Sequence, residues 1–138
     1  MLSVTRTLAI DPADAVPIWK QIEDGVRRLV VAGALAPGSP VPSVRELARE
    51  LRVNPATVSK AYQRLTDAGV LEVRRGEGTF VAGRSVGKVA AERRELLAGE
   101  ARRYAESAAA MGATREEADA AVREALDRQA WRRKGGES

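Results

Sequence analysis

Neither cysteine nor histidine occurs anywhere in the 138 residues. The missing cysteine excludes a disulfide framework and a thiolate nucleophile. The missing histidine removes the most frequent general base and the usual zinc ligand. Catalysis would have to rest on Asp/Glu pairs, Ser or Lys, and the carboxylates are scattered along helical patterns beside Lys and Arg. No catalytic residue, metal or cofactor is therefore expected. Aromatic residues make up only 4% of the chain, against 44% hydrophobic residues in all. The core must be built from Val, Leu, Ile and Ala. No apolar run approaches the about 18 residues of a membrane span, and the N-terminus lacks the apolar stretch of a signal peptide. The expectation is a soluble, cytoplasmic protein, one compact domain with a helical appendage.

The charge that is present is unevenly placed. Of the net +4, residues 40–84 supply 8 basic against 5 acidic side chains, which is +3. Residues 1–39 carry 4 and 4, and residues 85–138 carry 11 and 10. An anionic partner suits this distribution, although a solvated surface produces such an excess too.

Residues 4–10, "VTRTLAI", place Val4, Leu8 and Ile10 on one parity and read as a short strand. After "DPADAVP", Pro17 fits the first turn of a helix in which Ile18, Ile22, Val26, Leu29 and Val30 recur at helical spacing. Gly33 suits its C-terminal cap, and Pro37-Gly38 fill the middle of a type II turn. Ser43 and Glu46 form a capping box for a second helix with Val44, Leu47, Ala48 and Leu51 inward. Asn54 caps a third, with Pro55 in its first turn, that ends near Ala68-Gly69. Two β-type runs follow, 70–74 and 78–82, joined through Arg75-Gly76-Glu77-Gly78.

The second and third helices, separated only by Arg52-Val53-Asn54-Pro55, match a helix-turn-helix. On the third, Val58, Ala61, Tyr62 and Leu65 share the inward side. Ala56, Thr57, Ser59, Lys60, Gln63 and Arg64 occupy the other side and its flanks. Small side chains near a helix N-terminus admit close approach to base edges, hydroxyls and amides read them, and Lys and Arg neutralise phosphates. A polar helix face is also what plain solvation produces, and a hairpin tip such as Arg74-Arg75-Gly76 needs no phosphate. The "GEG" at 76–78 is no phosphate-cradling loop, because neither Gly-Lys-Ser/Thr nor a helix follows it. The order of all these pieces within 66 residues favours the DNA reading over the separate bland ones.

From Ser85 the composition turns to Ala, Glu and Arg. Ala90, Arg94, Leu97, Ala101, Tyr104, Ala108 and Met111 form a heptad seam broken only by Arg94. Gly112 ends it. A capping box of Thr114 and Glu117 starts a last helix that is expected to reach about Arg133, with Ala118, Val122, Ala125 and Leu126 inward and a frayed tail from about residue 134. The seam is too long and small-sided to be satisfied by one short helix. Burial against the same segment of a second chain is the economical solution, and folding back on the chain's own residues 17–82 is the alternative. A two-helix segment this rich in Ala leaves little room for a ligand pocket, which usually needs about 300 Å³. No dedicated small-molecule effector site is expected, and the place left for one is the dimer interface.

Residues 17–82 resemble the winged helix-turn-helix domain of GntR-family bacterial transcription regulators. The PG turn, PSVRELA, VNPATV, the KAYQRL run and GxGTFV stand in family order. The short remainder is similar to the YtrA-type subfamily, whose C-terminal segment is two helices. The resemblance implies a mainly α fold with a small β-wing. Residues 1–84 would be the DNA-binding domain (core 17–82), and residues 85–138 a helical dimerisation segment. It further implies a homodimer on a near-palindromic double-stranded DNA operator, acting as a repressor. Arg45 would contact the backbone, while Asn54, Ala56, Thr57 and Ser59 sit at the groove. Lys60 and Arg64 would lie near phosphates, Gln63 would belong to the same DNA-binding face, and Arg75-Gly76 would reach the minor groove or its rim. Ala90, Leu97, Ala101, Tyr104, Ala108, Met111, Val122 and Leu126 would join the two copies. Ala56 departs from the subfamily, which often carries Asn there, and Trp19 stands where Tyr is commoner, a change expected to be absorbed in packing. The alternative is a winged-helix module for architecture or protein contacts, without base readout.

Overall fold

A computed structural model describes residues 8–131. Pro17, with φ −57° and ψ 147°, delivers an extended chain to the first helix, α1 (Ile18–Val31). Ile22, Val26, Leu29 and Val30 are buried there at the expected spacing, and Val31 with them. Gly33 follows in the left-handed region at φ 80°. The turn at Pro37-Gly38 closes as its sequence requires: the Ser39 N–H donates to the Ala36 carbonyl at 3.1 Å, and Gly38 adopts φ 83°.

The predicted strand at 4–10 is not formed in its described part. Val4 and Arg6 lie outside the described residues, and Leu8–Ile10 pair with no strand. Leu8 is instead buried against α1, where a Cβ built on Gly25 would meet its Cδ2 at 2.3 Å. Alternating apolar residues make a strand only where a partner edge is available, and here a helix groove takes the leucine.

Helix α2 (Val44–Leu51) opens with the capping box intact, Ser43 accepting from the Glu46 N–H and Glu46 from the Ser43 N–H. The Ser43 N–H, and after it the Ser43 hydroxyl, stabilise the Glu46 carboxylate and hold it below the ordinary carboxylate range. Helix α3 (Pro55–Asp67) starts on Asn54. The break between them turns on Arg52, which adopts φ 58° and ψ 48°. This is the left-handed conformation that helix C-termini use, normally supplied by glycine.

The two helices are fixed to each other by Tyr62. Its hydroxyl donates to the Pro42 carbonyl, just before α2, at 2.7 Å. Burial, then the charges of Glu46 and Glu50, push its ionisation far above the ordinary value of 10.0. A raised value contributes stability that is intact below pH about 10 and is lost as the pH rises beyond it. Tyr62→Phe is therefore expected to cost about 1 kcal/mol of unfolding free energy at neutral pH. The same variant should flatten the alkaline loss of stability, measured by urea titration at neutral pH and above pH about 10.

Strands β1 (Leu71–Arg74) and β2 (Gly78–Val81) pair antiparallel, Leu71 opposite Val81 and Arg74 opposite Gly78. The segment after the PG turn joins them: Val41 N–H donates to the Thr79 carbonyl, Val81 N–H to Ser39, and Gly38 N–H to Val81. Pro40 bridges Phe80 without needing an N–H of its own. Alternation missed this third stretch because Ser39-Pro40-Val41 is too short to show a period. The core beneath is almost wholly aliphatic, as the composition requires, with Tyr62 its only aromatic member among the described residues.

Helix α4 (Val86–Ala110) is tied at its base to α1. Glu92, 7% exposed, receives Arg27 Nη1 at 2.7 Å and sits against the buried Arg84 in a charge contact that lacks hydrogen-bond geometry. Arg93 donates to the Val31 carbonyl at 2.6 Å. The chain divides into two compact units between Leu96 and Leu97, inside α4. No helix among the described residues is long and apolar enough to cross a membrane.

In the second unit, α4 ends at Ala110, Gly112 follows at φ 79°, and α5 (Arg115–Arg128) starts on the expected Thr114–Glu117 capping box. Helix α5 stops five residues short of Arg133, with Gln129 extended and the Trp131 indole N–H donating to the Leu126 carbonyl at 2.8 Å. Arg132 onward, including the tail, lies outside the described residues. The inward assignment of Val122, Ala125 and Leu126 does not hold within one chain: all three are exposed, because only α4 flanks them. Part of the seam turns onto α5. Tyr104 donates its hydroxyl to the Ala118 carbonyl at 2.7 Å, and Ala108 is buried. Leu97, Ala101, Tyr104, Ala108, Ala118 and Val122 line an open groove of about 820 Å³ between the two helices. The small side chains thus leave space, where little room was expected, because no third element fills it.

Candidate nucleic-acid interface

The N-terminus of α3 is built by its cap. Asn54 Oδ1 accepts from the Ala56 N–H at 2.8 Å, so the oxygen is committed to the protein and the amide nitrogen is what remains to offer. Past the cap, Ala56 and Ser59 are exposed and Thr57 is half-buried, while Val58, Ala61, Tyr62 and Leu65 are buried. The division between inward and outward faces follows the helical period residue by residue. No long side chain stands in the first turn, so a flat molecular edge can approach it closely.

Arg45 is exposed and makes no ion pair among the described residues. It occupies the second position of α2, where the positive end of the helix disfavours a cation. That unfavourable placement is relieved by an anion from outside or by Glu46 beside it. At the wing, Arg75 and Gly76 are exposed, and a turn closes under them through the Glu77 N–H to Arg74 carbonyl bond at 2.9 Å. Gly76 needs its freedom here, at φ 78°. The two wing arginines differ in kind. Arg74 is held, its Cζ 4.0 Å over the Phe80 ring and Nη2 3.2 Å from Glu72, whereas Arg75 is in no ion pair among the described residues.

The later part of α3 is exposed but less free. Gln63 donates to Asp67 at 2.9 Å. Lys60 Nζ lies 4.3 Å above the Trp19 ring, and Arg64 Cζ lies 4.9 Å from the same ring. Arg64 Nε also donates to both oxygens of Glu23 at 3.2 Å. Trp19, whose change from the commoner Tyr was expected to be absorbed in packing, does pack on the core but also meets two cations, and Glu23 was not singled out from the sequence. A signal existed: Glu23 stands inside the apolar stripe 22, 26, 29, 30, where a carboxylate requires a partner. Which cation answers it only the helix crossing decides.

With this geometry in hand, comparison with known proteins is direct. A sequence profile described as "Bacterial regulatory proteins, gntR family" matches residues 19–81. The chain is 44% identical over 75 residues to the HTH-type transcriptional repressor YtrA of Bacillus subtilis, covering 54% of this chain. That match spans 58% of the repressor's own length, just over half of it. In three dimensions it is similar to a GntR family transcriptional regulator from Listeria monocytogenes, with a TM-score of 0.68 at 27% identity over 80% of this chain and 96% of that one. It is also similar to YtrA from Sulfolobus acidocaldarius, a GntR-family transcription factor, with a TM-score of 0.56 at 36% identity over 72% and 98%.

Proposed function

This chain belongs to the gntR family of bacterial regulatory proteins, and we propose that it is a repressor that binds a near-palindromic DNA operator as a homodimer. It is a DNA-binding transcription regulator by family; the repressor role, the operator symmetry and the dimer are what this reading adds. The observation that carries it is the first half of α3. That half is capped and short-sided with Ala56 and Ser59 exposed, and Arg45 on α2 and Arg75 in the wing turn are in no ion pair among the described residues.

In this reading residues 1–84 hold the DNA. Asn54, Ala56, Thr57 and Ser59 face base edges in the major groove. Lys60, Gln63 and Arg64 stand at its flank, Arg45 meets the backbone, and Arg75-Gly76 reach the minor groove. The Ala56 methyl offers only an apolar contact with a thymine methyl, or space. Residues 85–138 join two copies. The exposure of Leu97 at 66%, Met111 at 74% and Leu126 at 45% supports a partner there, since those side chains meet no apolar neighbour enough to cover them. The open groove between α4 and α5 is read as part of that joint, with no metabolite assigned to it. The similarity to a protein named a repressor supports the sign of the regulation, exerted by occupying the operator against polymerase.

Selection of bound duplexes from a random pool tests the reading. An enriched palindrome with half-sites about one helical turn apart is the expected result. Salt-sensitive binding with no enriched sequence would instead favour the architectural reading. Within a selected site, Thr57→Ala is expected to lose about 1–3 kcal/mol on the cognate duplex and little on random DNA. Titration of both duplexes separates base reading from a backbone contact, which would be lost equally on each.

A further inference from the structure

Lys60 and Arg64 stand one turn apart on α3, a spacing at which like charges repel on a bare helix. The neighbouring helix answers that repulsion. The Trp19 ring lies 4.3 Å from Lys60 Nζ and 4.9 Å from Arg64 Cζ, so one indole ring serves two cations. One turn further along α1, Glu23 takes the Nε of Arg64 at 3.2 Å. Glu23 is 2% exposed, and Lys20 at 3.4 Å and Arg27 at 3.7 Å complete its compensation. Two residue pairs of equal spacing, Trp19/Glu23 and Lys60/Arg64, interlock across the α1–α3 contact.

We propose that Trp19 and Glu23 are positioning residues for DNA binding: ring and carboxylate hold Lys60 and Arg64 as a preformed phosphate clamp. The inference rests on the DNA reading above and deepens it by naming two residues off the recognition helix. Free Lys and Arg side chains lose rotamer freedom when a phosphate pins them. Held in advance, they lose less at the moment of binding, and affinity rises without any new contact to DNA. Arg64 uses its Nε on Glu23, half of its side chain remains exposed, and a guanidinium has further donors for a phosphate oxygen. A clamp on phosphate carries no sequence information, so its effect is the same on every duplex. In this it differs from Thr57.

The test is a set of affinities for a selected duplex and a random one, at about 0.15 M salt, with the full chain. Trp19→Leu is expected to weaken both by about five-fold or more. Trp19→Tyr, which keeps an aromatic face, restores most of the loss. In a Lys60→Ala/Arg64→Ala background the Trp19→Leu change has no further effect, because the groups through which it acts are gone. An additive loss in that background, or no loss in the single variant, overturns the inference and leaves the DNA reading standing. If Trp19→Leu does not fold, Glu23→Gln with and without Arg64→Ala gives the same cycle, and additivity again overturns it. Wild-type protein that binds neither duplex would overturn the DNA reading and the clamp together.

Discussion

If the proposed homodimer is the binding form, Leu97→Asp is expected to yield a monomer and to weaken binding to a two-half-site operator by about 10²- to 10⁴-fold. Leu97 is 66% exposed in the single chain, on the face of α4 that carries the heptad seam. Little among the described residues covers it, so the substitution is expected to leave the fold of residues 8–96 in place. In a homodimer the same side chain enters an apolar joint twice, once from each copy, and two carboxylates there are desolvated and close to each other. With the joint broken, each winged domain binds one half-site alone and the second contact is no longer intramolecular. Sedimentation velocity of the variant beside wild type gives the assembly state, and titration of the operator gives the affinity. A variant that still sediments as a dimer places the joint elsewhere. A variant that is monomeric yet binds the full operator as wild type does removes the need for two copies.

Glu92→Ala is expected to cost about 3–5 kcal/mol of stability. That is a large part of the about 5–15 kcal/mol that holds a domain together. Glu92 is 7% exposed and stands between Arg27 and Arg84, the second of which is itself buried. Without the carboxylate, Arg84 keeps its charge in a site that water does not reach and no anion replaces. The companion experiment discriminates this cause from simple loss of packing. Arg84→Met/Glu92→Leu removes both charges and fills the same space, and should return most of the stability or exceed wild type. Urea unfolding of the three proteins decides it. If the double variant is as weak as Glu92→Ala, the side chains matter for their shape, and the stranded charge is not the cause.

Much of this was legible along the chain. Capping boxes at Ser43 and Thr114, Asn54-Pro55 at the start of α3, and glycines at 33, 38, 69, 76 and 112 are local signals, and the helices and turns begin and end where they stand. Local signals suffice there because the groups they satisfy lie within one turn. Arg52 shows their limit. A left-handed residue that is not glycine leaves no mark in composition, and here the packing of α2 on α3 imposes it.

The sequence by itself determined the helical period, the inward face of α3 and the aliphatic core, since each depends only on which residue types recur at which spacing. It also determined which side chains of α3 face away from that core. Tertiary structure decided what those side chains are free to do. Arg75 is in no ion pair among the described residues, Arg64 is bound to a buried carboxylate on another helix, and Lys60 rests on an indole. It decided as well that Leu8 fills a groove on α1 and that Tyr104 turns to Ala118. Partners of this kind come from segments distant along the chain. The angle at which two helices cross brings them together, and no local spacing encodes that angle.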